Sequence, residues 1–91
     1  MNLEIVSPEA KLFSGEIESL TVPGVSGSFQ MLNNHAPIVS TLTAGKVKIV
    51  GNITVEKGQE SLFKQEGSIT YFEIKAGALE MKDNKVILLT D

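Results

Sequence analysis

Lys46-Val47-Lys48-Ile49 alternates charged and aliphatic side chains. A period of two buries one face of a β-strand and leaves the other in water, whereas a helix would repeat its apolar positions every three to four residues. Just beyond a Gly51-Asn52 break, Asn52-Ile53-Thr54-Val55-Glu56 has the same alternation and predicts a second strand. Two further stretches, Ser68 to Ile74 and Val86 to Thr90, are apolar on both faces, as a central strand or a strand at an interface must be. Turn signals separate such segments along the whole chain: Ser14-Gly15, Pro23-Gly24, Asn33-Asn34, Ala44-Gly45, Lys57-Gly58, Glu66-Gly67, Ala76-Gly77 and Asp83-Asn84. The expected fold is all-β, a sandwich or barrel of many short strands.

One segment argues for a helix. Ser7-Pro8-Glu9-Ala10 has a serine and a proline where a helix would start, and Leu12, Phe13, Ile17 and Leu20 fall near one helical face. Gly15 interrupts that stripe, and Pro23 closes the run. Two strands with a bend are therefore expected, with a β-bulge absorbing the slip between Ile17 and Val22.

The 91 residues contain no composition shift or linker, so residues 1–91 are expected to form a single domain. A mass of 9.8 kDa leaves a folded surface of roughly 5,200 Å², enough for one core but not for a core plus a deep substrate cleft. Cysteine is absent and His35 is the only histidine, which excludes disulfides, thiolate metal sites and multi-histidine centres. The net charge is −3 and every cation is a lysine, so neither a basic field nor a bidentate guanidinium is available for nucleic acid. The longest apolar runs reach only four residues, as in Val86-Ile87-Leu88-Leu89. None is long enough to span a bilayer. The first residues, Met-Asn-Leu-Glu-Ile-Val-Ser-Pro, lack a basic and an apolar signal region, and the chain is expected to stay on the side of the membrane where it is made.

Few residues suit catalysis. His35 could act as a general base, but the only aspartates are Asp83 and Asp91, and the sequence brings neither to it. A contact or loop-stabilising role is the simpler reading. Pro23-Gly24-Val25-Ser26-Gly27-Ser28 lacks both the spaced glycines of a dinucleotide loop and the Gly-Lys-Ser/Thr of a P-loop, and reads as a tight turn. Glu16 and Glu18 would share one strand face as solvated carboxylates. Tyr71, Phe72 and Phe63 lack the basic neighbours of a base-stacking platform. These residues describe a noncatalytic domain, with no metal, cofactor or small-molecule substrate, that acts through its surfaces.

The order of segments carries a resemblance. Leu3-Glu4-Ile5-Val6-Ser7-Pro8-Glu9, then Leu12-Phe13-Ser14-Gly15, Val22-Pro23-Gly24, Gly27 and His35-Ala36-Pro37 closely resemble the epsilon subunit of F-type ATP synthases. So do Ala76-Gly77-Ala78-Leu79-Glu80-Met81 and Val86-Ile87-Leu88-Leu89-Thr90-Asp91. The match runs from residue 1 to about 45 and again from about 70 to 91. It implies a flattened β-sandwich or barrel of about ten short, mostly antiparallel strands, and a rotor component of the central stalk, without chemistry of its own, that docks on the gamma subunit and contacts the membrane ring. That would couple proton flow to ATP synthesis and hold the chain as a peripheral protein on the cytoplasmic face of a bacterial inner membrane. The ring-facing turns would hold Gly24, Gly27 and Ser28, and Asn33, Asn34 and His35. The gamma-docking patch would comprise Leu12, Ala36, Pro37 and Val39.

This chain departs from the family in three respects. Ser28 stands where the family often has an acid, and Asn33-Asn34 where it commonly has proline-glycine, so turn shape and His35 rather than charge would make the ring contact. Gly51 to Gly67 is longer than usual and reads as an added or extended hairpin. The family usually continues into two C-terminal helices that regulate hydrolysis, whereas this sequence ends at Asp91. The expectation is little effect on ATP hydrolysis and no ATP binding. The competing readings are a free-standing peptide- or carbohydrate-binding module, for which four Phe, one Tyr and no Trp equip the chain poorly, and a small hydrolase around His35.

Overall fold

Local chemistry sets where each strand stops. In the computed structural model, which describes residues 1–91, Ser7 to Ala10 is a tight turn and not a helix start. The Ser7 N–H donates to the Ala10 carbonyl at 2.9 Å and the Ala10 N–H to Ser7 Oγ at 3.2 Å. This turn joins β1 (Asn2–Val6) to β2 (Lys11–Glu16). After the Ile17-Glu18 bend come β3 (Ser19–Gly24), β4 (Gly27–Leu32), β5 (Ile38–Leu42) and β6 (Gly45–Val50). A short 3₁₀ turn, Glu60–Leu62, leads into β7 (Phe63–Glu66), followed by β8 (Ile69–Ile74), β9 (Gly77–Lys82) and β10 (Lys85–Thr90). Asp83 and Asn84 between the last two strands both have positive φ, 52° and 59°, which matches the two-residue hairpin turn whose twist suits flanking strands.

The ten strands form one curled mixed sheet in the order β2-β1-β10-β9-β5-β3-β6-β8-β7, with β4 on the other edge of β3. All neighbours are antiparallel except β1 and β10, which run parallel from Asn2 opposite Lys85 to Val6 opposite Leu89. The fold-over occurs at β3. Its first half pairs with β6 (Ser19 to Thr21), and at Gly24 it meets Leu42 of β5 instead. Pro23 lies at this change of partner, where a missing N–H costs no regular ladder bond. Its carbonyl still accepts from the Thr43 N–H at 2.8 Å. The two halves enclose Leu3, Ile5, Leu20, Val22, Met31, Val47, Ile49, Leu79, Val86 and Leu88. At the ends of the path, the Phe63 ring of β7 lies 6.4 Å from Phe13 of β2 and stacks on Phe72 at 5.0 Å. The folded surface is 5312 Å², close to the value expected from mass alone.

Four expectations need correction. Asn52 to Glu56 alternates half-buried and exposed residues but is not a strand. The β6–β8 ladder ends at Val50 opposite Ile69, so no neighbour is left to pair with, and the Ile53 carbonyl is met by the Gln65 side chain at 3.3 Å. The Gly51–Gly67 stretch is thus an extended segment, a 3₁₀ turn and one short strand rather than an added hairpin. Segment Ser68–Ile74 is also not apolar on both faces: Thr70, Phe72 and Ile74 point inward while Glu73 is exposed. Finally, the bulge lies not between Ile17 and Val22 but on β2. Ile5 pairs with Phe13 and Val6 with Lys11, which leaves Leu12 without an opposite residue. Adjacent Leu12 and Phe13 therefore both turn inward.

Candidate functional site

Strand register aligns the outward side chains of β1, β10, β9 and β5 into rows. In one row Glu4, Ile87, Glu80 and Val39 stand side by side. In the next are Val6, Leu89, Ala78 and Thr41. A third row at the hairpin end holds Asn2, Lys85 and Lys82. Val39 is 78% exposed and Leu89 51%, the Val39 value being the highest among the large apolar side chains. Val39, Ala78, Ile87 and Leu89 line a groove of about 410 Å³ across the outside of these strands. An apolar groove on an otherwise polar outer face is the mark of an interaction surface.

The sequence-derived docking residues only partly meet here. Val39 lies at the centre of the face, and exposed Pro37 borders it. Ala36 is exposed in the preceding loop. Leu12 does not belong with them: it is 7% exposed, buried by the β2 bulge, and β1, β10 and β9 intervene between its strand and that of Val39. Ala78, Ile87 and Leu89 share the groove with Val39 but have no place in the patch expected from the sequence. Their signal was the run Val86-Ile87-Leu88-Leu89, apolar on both faces, whose outward half proves to be Ile87 and Leu89.

The two candidate turns lie at opposite ends of β4. Gly24, Gly27 and Ser28 flank the Val25-Ser26 hairpin tip, where Val25 is exposed. Asn33, Asn34 and His35 follow Leu32, the last residue of β4, about 17 Å away at 3.3–3.4 Å per residue. The Ser28 hydroxyl donates to the Val22 carbonyl at 3.2 Å across the hairpin. In the second turn the His35 N–H donates to the Leu32 carbonyl, and Asn34 adopts φ 63°, a conformation that glycine and asparagine tolerate best.

That turn is tied to the β9–β10 hairpin through side-chain amides. The Asn34 N–H donates to Asn84 Oδ1 at 2.7 Å, and Asn84 Nδ2 donates to Asn33 Oδ1 at 2.9 Å. Asn33 Oδ1 also accepts from the Met1 amino group at 2.9 Å, which lies 3.2 Å from Glu16 Oε2. The half-buried His35 ring has its Nδ1 2.7 Å from the Ala36 carbonyl. A carbonyl only accepts, so Nδ1 carries the proton and Nε2 is the nitrogen left to meet another group. No three His, Asp or Glu side chains converge anywhere in a metal-holding group. At Asp91, desolvation pushes the carboxyl pKa up. Hydrogen bonds from the Thr90 hydroxyl and from backbone N–H groups of Asp91, Ala76 and Lys75 outweigh this, and the net pKa lies below the ordinary carboxylate value.

The matched family is that of the ATP synthase, Delta/Epsilon chain, beta-sandwich domain, whose profile covers residues 1–91. This chain belongs to that family. The match continues through residues 46–69, where the sequence resemblance had lapsed. The ATP synthase epsilon chain of Chlorobium limicola is 37% identical over 89 residues, which are 98% of this chain and 86% of that one. The epsilon chain of Leptospira borgpetersenii serovar Hardjo-bovis is 37% identical over all 91 residues, and this chain spans 61% of its length. Among solved structures, a chain of the Tetrahymena thermophila mitochondrial ATP synthase central stalk/c-ring superposes with a TM-score of 0.68 at 18% identity, covering 98% of this chain and 61% of that one. A chain from the Euglena gracilis mitochondrial ATP synthase gives 0.72 at 18% identity, with coverages of 97% and 48%. At that identity the likeness is one of fold.

Proposed function

We propose that this chain is a noncatalytic element of the rotor of an F-type ATP synthase, seated on the gamma subunit through the outer face of β5, β9 and β10. In this reading β4 lies across the loops of the membrane ring, so that Gly24, Gly27 and Ser28 at one end and Asn33, Asn34 and His35 at the other both reach it. The chain then links gamma to the ring and transmits torque during proton-driven ATP synthesis. It is held at the membrane, on the cytoplasmic face in a bacterium, only through the complex. No helix is long and apolar enough to cross a membrane.

The observation that carries the reading is the apolar groove formed by Val39 and Ile87 of one row with Ala78 and Leu89 of the next. Covering Val39 and Leu89 alone would contribute about 3 kcal/mol to association. The family membership gives this face an assembly to belong to. The test is copurification of the chain with its cognate gamma subunit. Val39→Glu should melt within a few degrees of wild type, because the side chain already stands in water, yet should fail to copurify. A folded Val39→Glu chain that still binds gamma would sink the reading.

A further inference from the structure

β4 is paired on one edge only. It lies off the path of the sheet, joined to β3 in an unbroken register from Ser19–Leu32 to Gly24–Gly27. In an antiparallel pair, residues that exchange backbone bonds alternate with residues that do not. Pro23 has no N–H, and its carbonyl accepts from Thr43, which lies between β5 and β6 on the far edge of β3. Pro23–Ser28 is therefore a non-bonded pair, and alternation makes Thr21–Gln30 and Ser19–Leu32 non-bonded too. The backbone groups of Ser28, Gln30 and Leu32 point away from the sheet. Among them only the Leu32 carbonyl has a backbone partner, the His35 N–H. Such an edge is a template for another strand, and proteins guard it with charges, bulges or short strands. Both ends of the sheet path are guarded in this way. β2 carries Lys11, Glu16 and the bulge at Leu12, and β7 is four residues long with Lys64 and Glu66. β4, Gly27-Ser28-Phe29-Gln30-Met31-Leu32, has no charge, proline or bulge.

We infer that two copies of this chain, when outside the complex, pair β4 with β4 antiparallel about a two-fold axis at Gln30. The occupant is a second copy because the edge is complementary to itself. Gln30 stands opposite Gln30 of the other copy and exchanges both backbone bonds with it. Ser28 stands opposite Leu32 of the other copy, and each Leu32 N–H donates to a Ser28 carbonyl. Like charges placed opposite each other would destabilise such a pair, and β4 has none. The exposed Gln30 side chains meet on the outer face, where their amides can bond each other. Leu32, 56% exposed, is partly covered by the arriving strand. Both copies use the same edge, so the assembly closes as a dimer instead of growing into a filament. One added strand covers well under the roughly 1,200 Å² of a stable interface, so the association is weak and concentration-dependent. The proposed rotor lays β4 across the ring loops, and there pairing and seating exclude each other. The pairing itself does not rest on that reading.

The experiment is sedimentation velocity on the isolated chain from about 10 μM to about 1 mM, a range that brackets weak association. The average mass should rise with concentration from 9.8 kDa toward twice that value, and exchange at the Gln30 amide should slow in parallel. Gln30→Lys and Gln30→Glu change an exposed side chain and should melt like wild type. Each alone sets two like charges together at the axis and should weaken self-association about 10-fold or more. Mixed in equal amounts, the two variants should associate again, because the axis then joins a lysine to a glutamate. A wild-type chain that stays monomeric at the highest concentration overturns the inference. So does a dimer whose Gln30 amide exchange is independent of concentration, or one that both variants form as readily as wild type. Failure of the mixture to restore association refutes the register at Gln30, and growth beyond the dimer refutes two-fold closure.

Discussion

Asn84 joins two turns that come from distant parts of the chain, and replacing it should show how much that junction contributes. Its φ of 59° lies in the left-handed region, and its amide makes two hydrogen bonds, at 2.7 Å from the Asn34 N–H and at 2.9 Å to Asn33 Oδ1. Both bonds are exposed, so their net worth is about 0.5 kcal/mol each, at the lower end of the usual range. Alanine at that φ adds about 1 kcal/mol of backbone strain. Asn84→Ala should therefore cost about 2 kcal/mol, or roughly 10 °C in midpoint for a domain of this size. Asn84→Gly loses the same bonds without the strain and should cost about 1 kcal/mol. Urea melts of both variants give the two numbers, and hydrogen exchange at the Asn34 amide should accelerate in both. Equal losses for the two variants would show that the left-handed residue is not strained by a Cβ. Losses below about 0.3 kcal/mol in both would mean that the amide junction contributes nothing.

Leu12→Ala should cost about 2–4 kcal/mol in denaturant melts, as a buried residue on a bulge, and should leave gamma binding by the folded fraction unchanged. His35→Ala should change stability by less than about 1 kcal/mol, since its ring makes one bond to the neighbouring carbonyl, while reducing proton-coupled ATP synthesis in reassembled membranes. Gly77→Ala should destabilise strongly, because the added Cβ would come within 2.5 Å of the Leu89 carbonyl oxygen; a melt like wild type would refute the close β9–β10 approach. Asp91, with its lowered pKa, contributes stability that is complete above the ordinary carboxylate pKa and lost as pH falls through the folded value. Asp91→Asn should flatten that acid-side loss in pH-dependent melts.

The sequence made the strands and most turns legible because each rests on local chemistry: period-two alternation, glycine at turns, asparagine at positive φ. What it concealed depends on who stands next to whom. Asn52–Glu56 alternates like a strand, but alternation reports which side is wet and not whether a neighbouring strand exists. Leu12 looked available because a bulge is a property of a pair of strands, visible only once Val6 meets Lys11. The adjacency of Ile38 and Val39 tells only that one of the two faces outward, since consecutive strand residues point to opposite faces, and it is the family resemblance that singles out Val39. Ile87 and Leu89 could not be joined to it until register set β9 between β5 and β10. The same register put Glu80 between aliphatic neighbours, a relation no local pattern carries.

The parallel pairing of β1 with β10 also sets a timetable for folding. β1 and β2 form a hairpin from neighbouring residues, yet the only strand that fastens this hairpin to the remainder of the sheet is β10. Its partners are separated by nearly the full length of the chain, so a large loop must close before that contact returns any stabilisation. Chains dominated by such distant pairings fold in about milliseconds to seconds rather than microseconds. Until β10 arrives, Leu3 and Ile5 lack their sheet neighbours Val86 and Leu88. The interval between making the hairpin and locking it is the period in which this protein is most exposed to aggregation.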